Sequence, residues 1–84
     1  MNKKHKKTVN RVFEKPTRSD ISYIEINSLL LSLDAKIKEG QGSRVKYIVN
    51  DKILSIHKPH PQKELKKYAV ELVREFLENI GVTP

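Results

Sequence analysis

Apolar and polar side chains alternate over residues 35–57, and turn-forming residues interrupt this alternation twice. Because successive side chains of a strand point to opposite faces, this pattern predicts three strands, over residues 35–39, 43–49 and 52–57. A three-residue loop at 40–42 and a two-residue turn at Asn50 and Asp51 would join them as consecutive hairpins. Pro59 and Pro61 end the sheet, since proline cannot donate to the ladder.

The two turns also predict the register of the sheet. A two-residue turn pairs Val49 with Lys52 and Arg44 with His57, and a three-residue loop pairs Lys38 with Arg44. One face is then apolar, with Ile37, Val45, Tyr47, Leu54 and Ile56. The other face carries Lys36, Lys38, Arg44, Lys46, Ser55 and His57. A slip of one residue would mix the two sets, so their separation supports the register. We expect Lys38, Arg44 and His57 to cross the three strands at one level.

Helical periodicity appears on both sides of the predicted strands. Val9, Val12 and Phe13 form a short apolar stripe that ends before Pro16, and a second helix is predicted over residues 25–33. Asp34 is suited to the left-handed conformation that often follows a helix. A last helix is predicted over residues 64–80, followed by Gly81 as a C-terminal cap.

The last helix is predicted to have a buried side and a solvent-exposed, or wet, side. The buried stripe is Ala69, Val73, Phe76, Leu77 and Ile80, and the wet side is Glu71, Arg74, Glu75 and Glu78. Tyr68 and Phe76 are interpreted as core residues, and His5 as an exposed residue of the basic leader. The predicted fold is α+β, in the order α-α-β-β-β-α, with the helices on one sheet face. We expect one domain over residues 1–84, with a basic N-terminal helix in 1–16 and a core in 21–82.

Composition excludes several classes of protein. The 84-residue chain has no cysteine, so disulfides and thiolate metal sites are excluded. The apolar run of residues 29–31 is too short to span a membrane. No apolar stretch follows the basic start, so we do not expect it to be a secretory signal, and we expect a cytoplasmic protein. The formal net charge of +7 favours a polyanionic partner such as nucleic acid, although it could also serve solubility.

Two short motifs flank the predicted sheet. Gly42-Ser43 opens the second strand, and His60-Pro61-Gln62-Lys63-Glu64-Leu65 precedes the last helix. In this order, over about residues 24–82, they resemble the HicA-type toxins of bacterial toxin–antitoxin pairs. The resemblance implies a double-stranded-RNA-binding-like fold and a ribosome-independent toxin that cleaves mRNA. It also implies a HicB-type antitoxin that covers the active surface, and no cofactor or metal is expected.

The resemblance places the family's catalytic histidine directly after Gly-Ser, where this chain has Arg44. Arginine stays protonated and cannot act as a base. His57, predicted to lie across from Arg44, is therefore the candidate displaced catalytic histidine, and His60 matches the family's His-Pro position. The predicted RNA-contacting residues are Lys36, Lys38, Ser43, Arg44, Lys46 and Lys58.

Other interpretations of these residues remain open. His57 could be a solvated strand-end residue, and His60 could brace the loop between two prolines. A metal pair formed by the two histidines lacks an evident third ligand. The chain could also be a non-catalytic RNA-binding module, or an inactive toxin relative that acts by binding its antitoxin. A structural ribosomal protein is a third alternative, supported only by size and charge.

Overall fold

The computed structural model describes all 84 residues and has the predicted order of elements. The helices are α1 (Lys3–Val12), α2 (Tyr23–Ser32) and α3 (Lys67–Asn79), and the strands are β1 (Lys36–Glu39), β2 (Arg44–Val49) and β3 (Lys52–His57). The strands form one antiparallel sheet in the order β1-β2-β3. The predicted α+β class and the order α-α-β-β-β-α are confirmed. None of the three helices has the length and apolar character needed to cross a lipid bilayer.

The β2–β3 hairpin has the predicted register. Asn50 and Asp51 have φ values of 49° and 66°, so both lie in the left-handed region that two-residue hairpin turns require. Arg44 accordingly lies opposite His57.

The predicted register of the β1–β2 hairpin is wrong by two residues. Lys38 lies opposite Lys46, not opposite Arg44. The cause is a longer loop of residues 40–43, in which the Gly40 N–H donates to the Arg44 carbonyl at 2.9 Å. Gly42, at φ 64°, supplies the left-handed residue within this loop. A shift of two residues keeps every side chain on its predicted face, because the side-chain period of a strand is two.

The helices cover one face of the sheet, where β2 and β3 supply the buried side chains Val45, Tyr47, Leu54 and Ile56. Ile37, which we also expected in this core, is 39% exposed. It lies on the four-residue edge strand β1, all of whose residues are exposed. The apolar face is therefore built by two strands rather than three.

The start of α3 lies three residues later than predicted, because the chain before it is paired in an extended conformation. Ser22 and Glu64 form an isolated antiparallel bridge, and the Leu65 N–H donates to the Ile21 carbonyl at 2.9 Å. Backbone groups used in this pairing are not free for helical hydrogen bonds. Lys67 is consequently the first helical residue.

Helix α1 packs on the rest of the molecule through its predicted stripe, since Val9 and Val12 are buried. Two predictions about its surroundings are wrong. His5 is only 9% exposed, and its Nε2 lies 3.1 Å from the Ser28 Oγ on α2. Arg74 is half-buried, not on the wet side of α3, and its guanidinium donates to the carbonyls of Val12 and Glu14 at 3.0 and 3.2 Å.

Candidate functional site

Arg44 and His57 face each other on the open side of the sheet. They are cross-strand partners at the end of the β2–β3 hairpin, and both side chains are exposed. The Oγ of Ser43 lies 3.2 Å from the His57 Nδ1, and the Lys58 N–H donates to the Ser43 carbonyl at 2.8 Å. These contacts join the end of the 40–43 loop to the end of β3. With Nδ1 engaged by Ser43, Nε2 is the ring nitrogen of His57 left for other partners.

Lysines extend the positive charge along this open face. Lys38 lies opposite Lys46, which lies opposite Ser55, so this row is two residues away from the Arg44–His57 pair. The prediction that Lys38, Arg44 and His57 share one level is therefore wrong, although all three lie on the predicted face. Like charges directly opposite each other on a sheet repel. The open-face cations that form no ion pair are Lys36, Lys38, Arg44 and Lys46.

Lys58 is separated from these cations. It forms an ion pair with Glu39, a residue that lies opposite Val45 and therefore on the helix-covered side of the sheet. The hydrogen bond from Lys58 lowers the pKa of Glu39, and the same hydrogen bond raises the pKa of Lys58. The structure thus places Lys58 apart from the open face on which Lys38 and Lys46 lie.

A groove of about 610 Å³ lies between the end of β3 and the start of α3. His57 and His60 both line it, so the structure brings the two predicted catalytic histidines to one depression. Lys66 and Tyr68 line the same groove from the α3 side. Tyr68 is 50% exposed, so its interpretation as a core residue is wrong, whereas Phe76 is buried as predicted.

The chain has a match to a known protein family that covers the sheet and the groove. Residues 25–82 match the family described as "HicA toxin of bacterial toxin-antitoxin". The chain belongs to the HicA toxin family. It is thus a toxin of the bacterial toxin–antitoxin type. No curated protein and no solved structure matched the chain.

The HicA match includes every residue that we predicted for the site, whereas α1 lies outside it. No group of three or more histidine, aspartate or glutamate side chains in this HicA toxin is arranged to hold a metal ion. The open face and the groove present cationic groups, two histidines, the Ser43 hydroxyl, the Tyr68 ring and the carboxylate of Glu64.

Tyr68 is the site residue that sequence reasoning missed. A signal for it was present, because Tyr68 shares a helical row with Leu72 and Glu75 at spacings of four and seven. Both of those residues are exposed. The interpretation of Tyr68 as a core residue rested on its position in an apolar helix and did not use the row that it shares.

Proposed function

We propose that this HicA toxin is an endoribonuclease that cleaves mRNA in the cytoplasm without a metal ion, with His57 as its proton-transferring residue. The observation that carries the proposal is the cross-strand pair of His57 and Arg44 on an exposed, cationic face. Histidine can accept or donate a proton near neutral pH, and a cation beside it stabilises negative charge on a phosphate.

The reaction begins when a ribose 2′-oxygen attacks the adjacent phosphorus as a base removes the 2′-hydroxyl proton. The bond between phosphorus and the 5′-oxygen breaks, and that oxygen takes up a proton. The products are a 2′,3′-cyclic phosphate and a 5′-hydroxyl end. His57 removes the first proton through Nε2, since its Nδ1 is engaged by Ser43. His60 lines the same groove and is the candidate for protonating the leaving oxygen.

The guanidinium of Arg44 provides the charge that the attacked phosphate needs. Arginine forms two parallel hydrogen bonds to phosphate oxygens and stays charged throughout the reaction. Ser43 orients the imidazole beside it, at 3.2 Å. Lys36, Lys38 and Lys46 contact the phosphates of neighbouring nucleotides, because they continue the same exposed face.

The partner in this proposal is a HicB-type antitoxin that covers the open face. Two arguments support this partner. One is analogy with the family. The other is charge, since the unpaired cations of the open face would attract an acidic segment of the antitoxin. Seated on that face, the antitoxin would physically block RNA. A complex in which it touched only the outer surface of the helices would contradict this.

Induction of the protein in cells without antitoxin tests the proposal. The wild type should arrest growth, and His57→Ala should remove the arrest, because a general acid or base contributes about 10²–10⁴-fold to rate. RNA affinity should be nearly unchanged, because Arg44 and the open-face lysines remain. Thermal stability should also be nearly unchanged, since His57 is exposed. His60→Ala should cause a smaller loss. A His57→Ala protein that remains fully toxic would exclude His57 as the base.

A second candidate function is a non-catalytic RNA-binding or antitoxin-binding protein. It is favoured by Arg44, which occupies the position after Gly42-Ser43 where the family pattern implies a histidine. This alternative expects RNA binding with no cleavage and no growth arrest from the wild type.

A further inference from the structure

Tyr68 differs from every other aromatic residue of the chain. Tyr47 and Phe76 are buried, and Phe13 and Tyr23 are half-buried. Tyr68 alone is exposed, at 50%, although it belongs to the first turn of α3. Exposing an aromatic ring forgoes the stabilisation that its burial would supply. This position is therefore a candidate for contact with a ligand.

The surroundings of Tyr68 indicate the chemistry of that ligand. Tyr68 lines the groove of about 610 Å³ that also contains His57 and His60. A groove of this size is within the range that holds small ligands. Lys66 supplies a cation at the same wall, and the buried side chains of Leu65 and Ala69 supply apolar surface. The cation of Lys66, two histidines that can transfer protons and an exposed ring together fit one nucleotide, and Glu64 is the only acidic residue that lines the groove.

We propose that Tyr68 is a stacking platform for a base of single-stranded RNA, next to the phosphate that Arg44 contacts and the 2′-hydroxyl that His57 deprotonates. The proposal rests on the proposed function, since it assigns a base subsite to the same groove. An aromatic ring beside a backbone-binding cationic surface is the usual arrangement for holding single-stranded nucleic acid. The base must be unstacked from its neighbours to reach the ring, so the subsite accepts single strands or loops and not paired duplex.

The stacking subsite also predicts how selective the toxin is. Every base has a π-face, so stacking alone tolerates different bases. The groove adds polar side chains, including Gln62 and Ser19, that can hydrogen-bond a base edge. Tyr68 thus accounts for affinity at this position, while these polar groups supply preference among bases.

The test measures binding of a 2′-O-methyl adenosine hexanucleotide, which cannot be cleaved by 2′-oxygen attack. Tyr68→Ala should weaken binding about 5- to 150-fold, because the stacking of a base on the aromatic ring is removed. Tyr68→Phe should retain wild-type affinity, since it keeps the ring. Leu72→Ala is the matched control: Leu72 is also exposed on α3 but lines a different groove, so its removal should not change affinity.

A second variant reports on stacking directly. The chain has no tryptophan, so Tyr68→Trp introduces a single fluorescent ring at the subsite. Its emission should be quenched by the hexanucleotide, and less by a version with an abasic position. Quenching of equal size by both oligonucleotides would overturn the proposal.

This binding assay separates the subsite from catalysis. It needs no cleavage, so a catalytically inactive wild type would leave the Tyr68 result interpretable. Equal affinity of wild type and Tyr68→Ala for the hexanucleotide would overturn the subsite, even if His57 proved essential for cleavage. A Tyr68→Ala protein with reduced affinity for the antitoxin alone would also overturn it, because the ring would then contact protein.

Discussion

At the scale of single residues, the hydroxyl of Tyr47 connects the sheet to α2. Tyr47 is fully buried, donates to the Asn27 Oδ1 at 2.7 Å and lies 2.7 Å from the Tyr23 hydroxyl. Burial raises the pKa of Tyr47 above its ordinary value, so this hydroxyl keeps its proton.

Replacing Tyr47 with phenylalanine should destabilise the protein by about 1–3 kcal/mol, because Asn27 and Tyr23 lose a partner in a region with little water. Urea denaturation monitored by circular dichroism measures this. Tyr23→Phe is the control. Tyr23 is half-buried, so the change there should cost less. Equal costs for the two variants would contradict the assigned role of Tyr47.

Asp20 gives a pH-dependent contribution to stability. Hydrogen bonds from Arg18, at 2.8 and 2.6 Å, lower the pKa of Asp20 from 3.8 to about 2. A carboxyl with a lowered pKa stabilises the folded state above its ordinary pKa, and this stabilisation disappears as the pH falls through its folded value.

The melting temperature should therefore fall between pH 3.8 and about 2, and Asp20→Asn should remove part of that fall. Asp51→Asn is the control, because Asp51 forms no ion pair and asparagine tolerates its left-handed backbone. Parallel pH profiles for wild type and Asp20→Asn would contradict the assignment.

The pairing of Arg44 with His57 was predictable, because a two-residue turn leaves only one register for the hairpin. The burial of His5 was not. Its partner Ser28 is 23 residues away, and side-chain periodicity carries no information on which distant polar groups will meet. The exposure of Tyr68, by contrast, could have been predicted, because Tyr68 shares a helical row with Leu72 and Glu75, which are also exposed.

At the scale of elements, α1 is attached at both ends. His5 contacts Ser28 near its start, and Arg74 on α3 donates to the carbonyls of Val12 and Glu14 at its end. Carbonyls at a helix C-terminus have no partner within the helix, so a guanidinium from another helix satisfies them. Periodicity predicted the apolar stripe of α1 but could not show this interaction.

Arg74→Ala should lower the free energy of unfolding by about 1–3 kcal/mol, because several hydrogen bonds from a charged donor are removed. Thermal unfolding followed by calorimetry is the readout. Glu78→Ala, on an exposed position of the same helix, should have little effect. If both variants melted together with the wild type, Arg74 would not hold α1 in place.

At the scale of the whole molecule, the helices cover one sheet face and leave cations on the other. The alternation of apolar and polar residues was sufficient to predict which face of the sheet each strand side chain lies on. The two-residue error in the β1–β2 register did not change these faces. Alternation could not predict the level of Lys38 along the sheet, because loop length depends on hydrogen bonds such as that from Gly40 to Arg44. Nor could it predict the pairing of Lys58 with Glu39.

Binding of single-stranded RNA should weaken with salt and should depend on the open face. Lys38→Glu combined with Lys46→Glu should reduce affinity and lower the salt slope by about 0.7 for each phosphate that the protein no longer neutralises. Lys3→Glu combined with Lys4→Glu makes the same change of charge on α1, outside the family match. A smaller effect from the α1 pair is expected. Equal effects would show that only net charge matters.

If His57 transfers protons in RNA cleavage, its removal must slow cleavage by the purified protein. Wild type and His57→Ala are incubated with single-stranded RNA in EDTA, and the ends of the fragments are identified. We expect the wild type to give 2′,3′-cyclic phosphate and 5′-hydroxyl ends. His57→Ala should bind the RNA equally but cleave it about 10²–10⁴-fold more slowly. Equal cleavage by both proteins, or no cleavage by the wild type, would contradict the proposed role of His57.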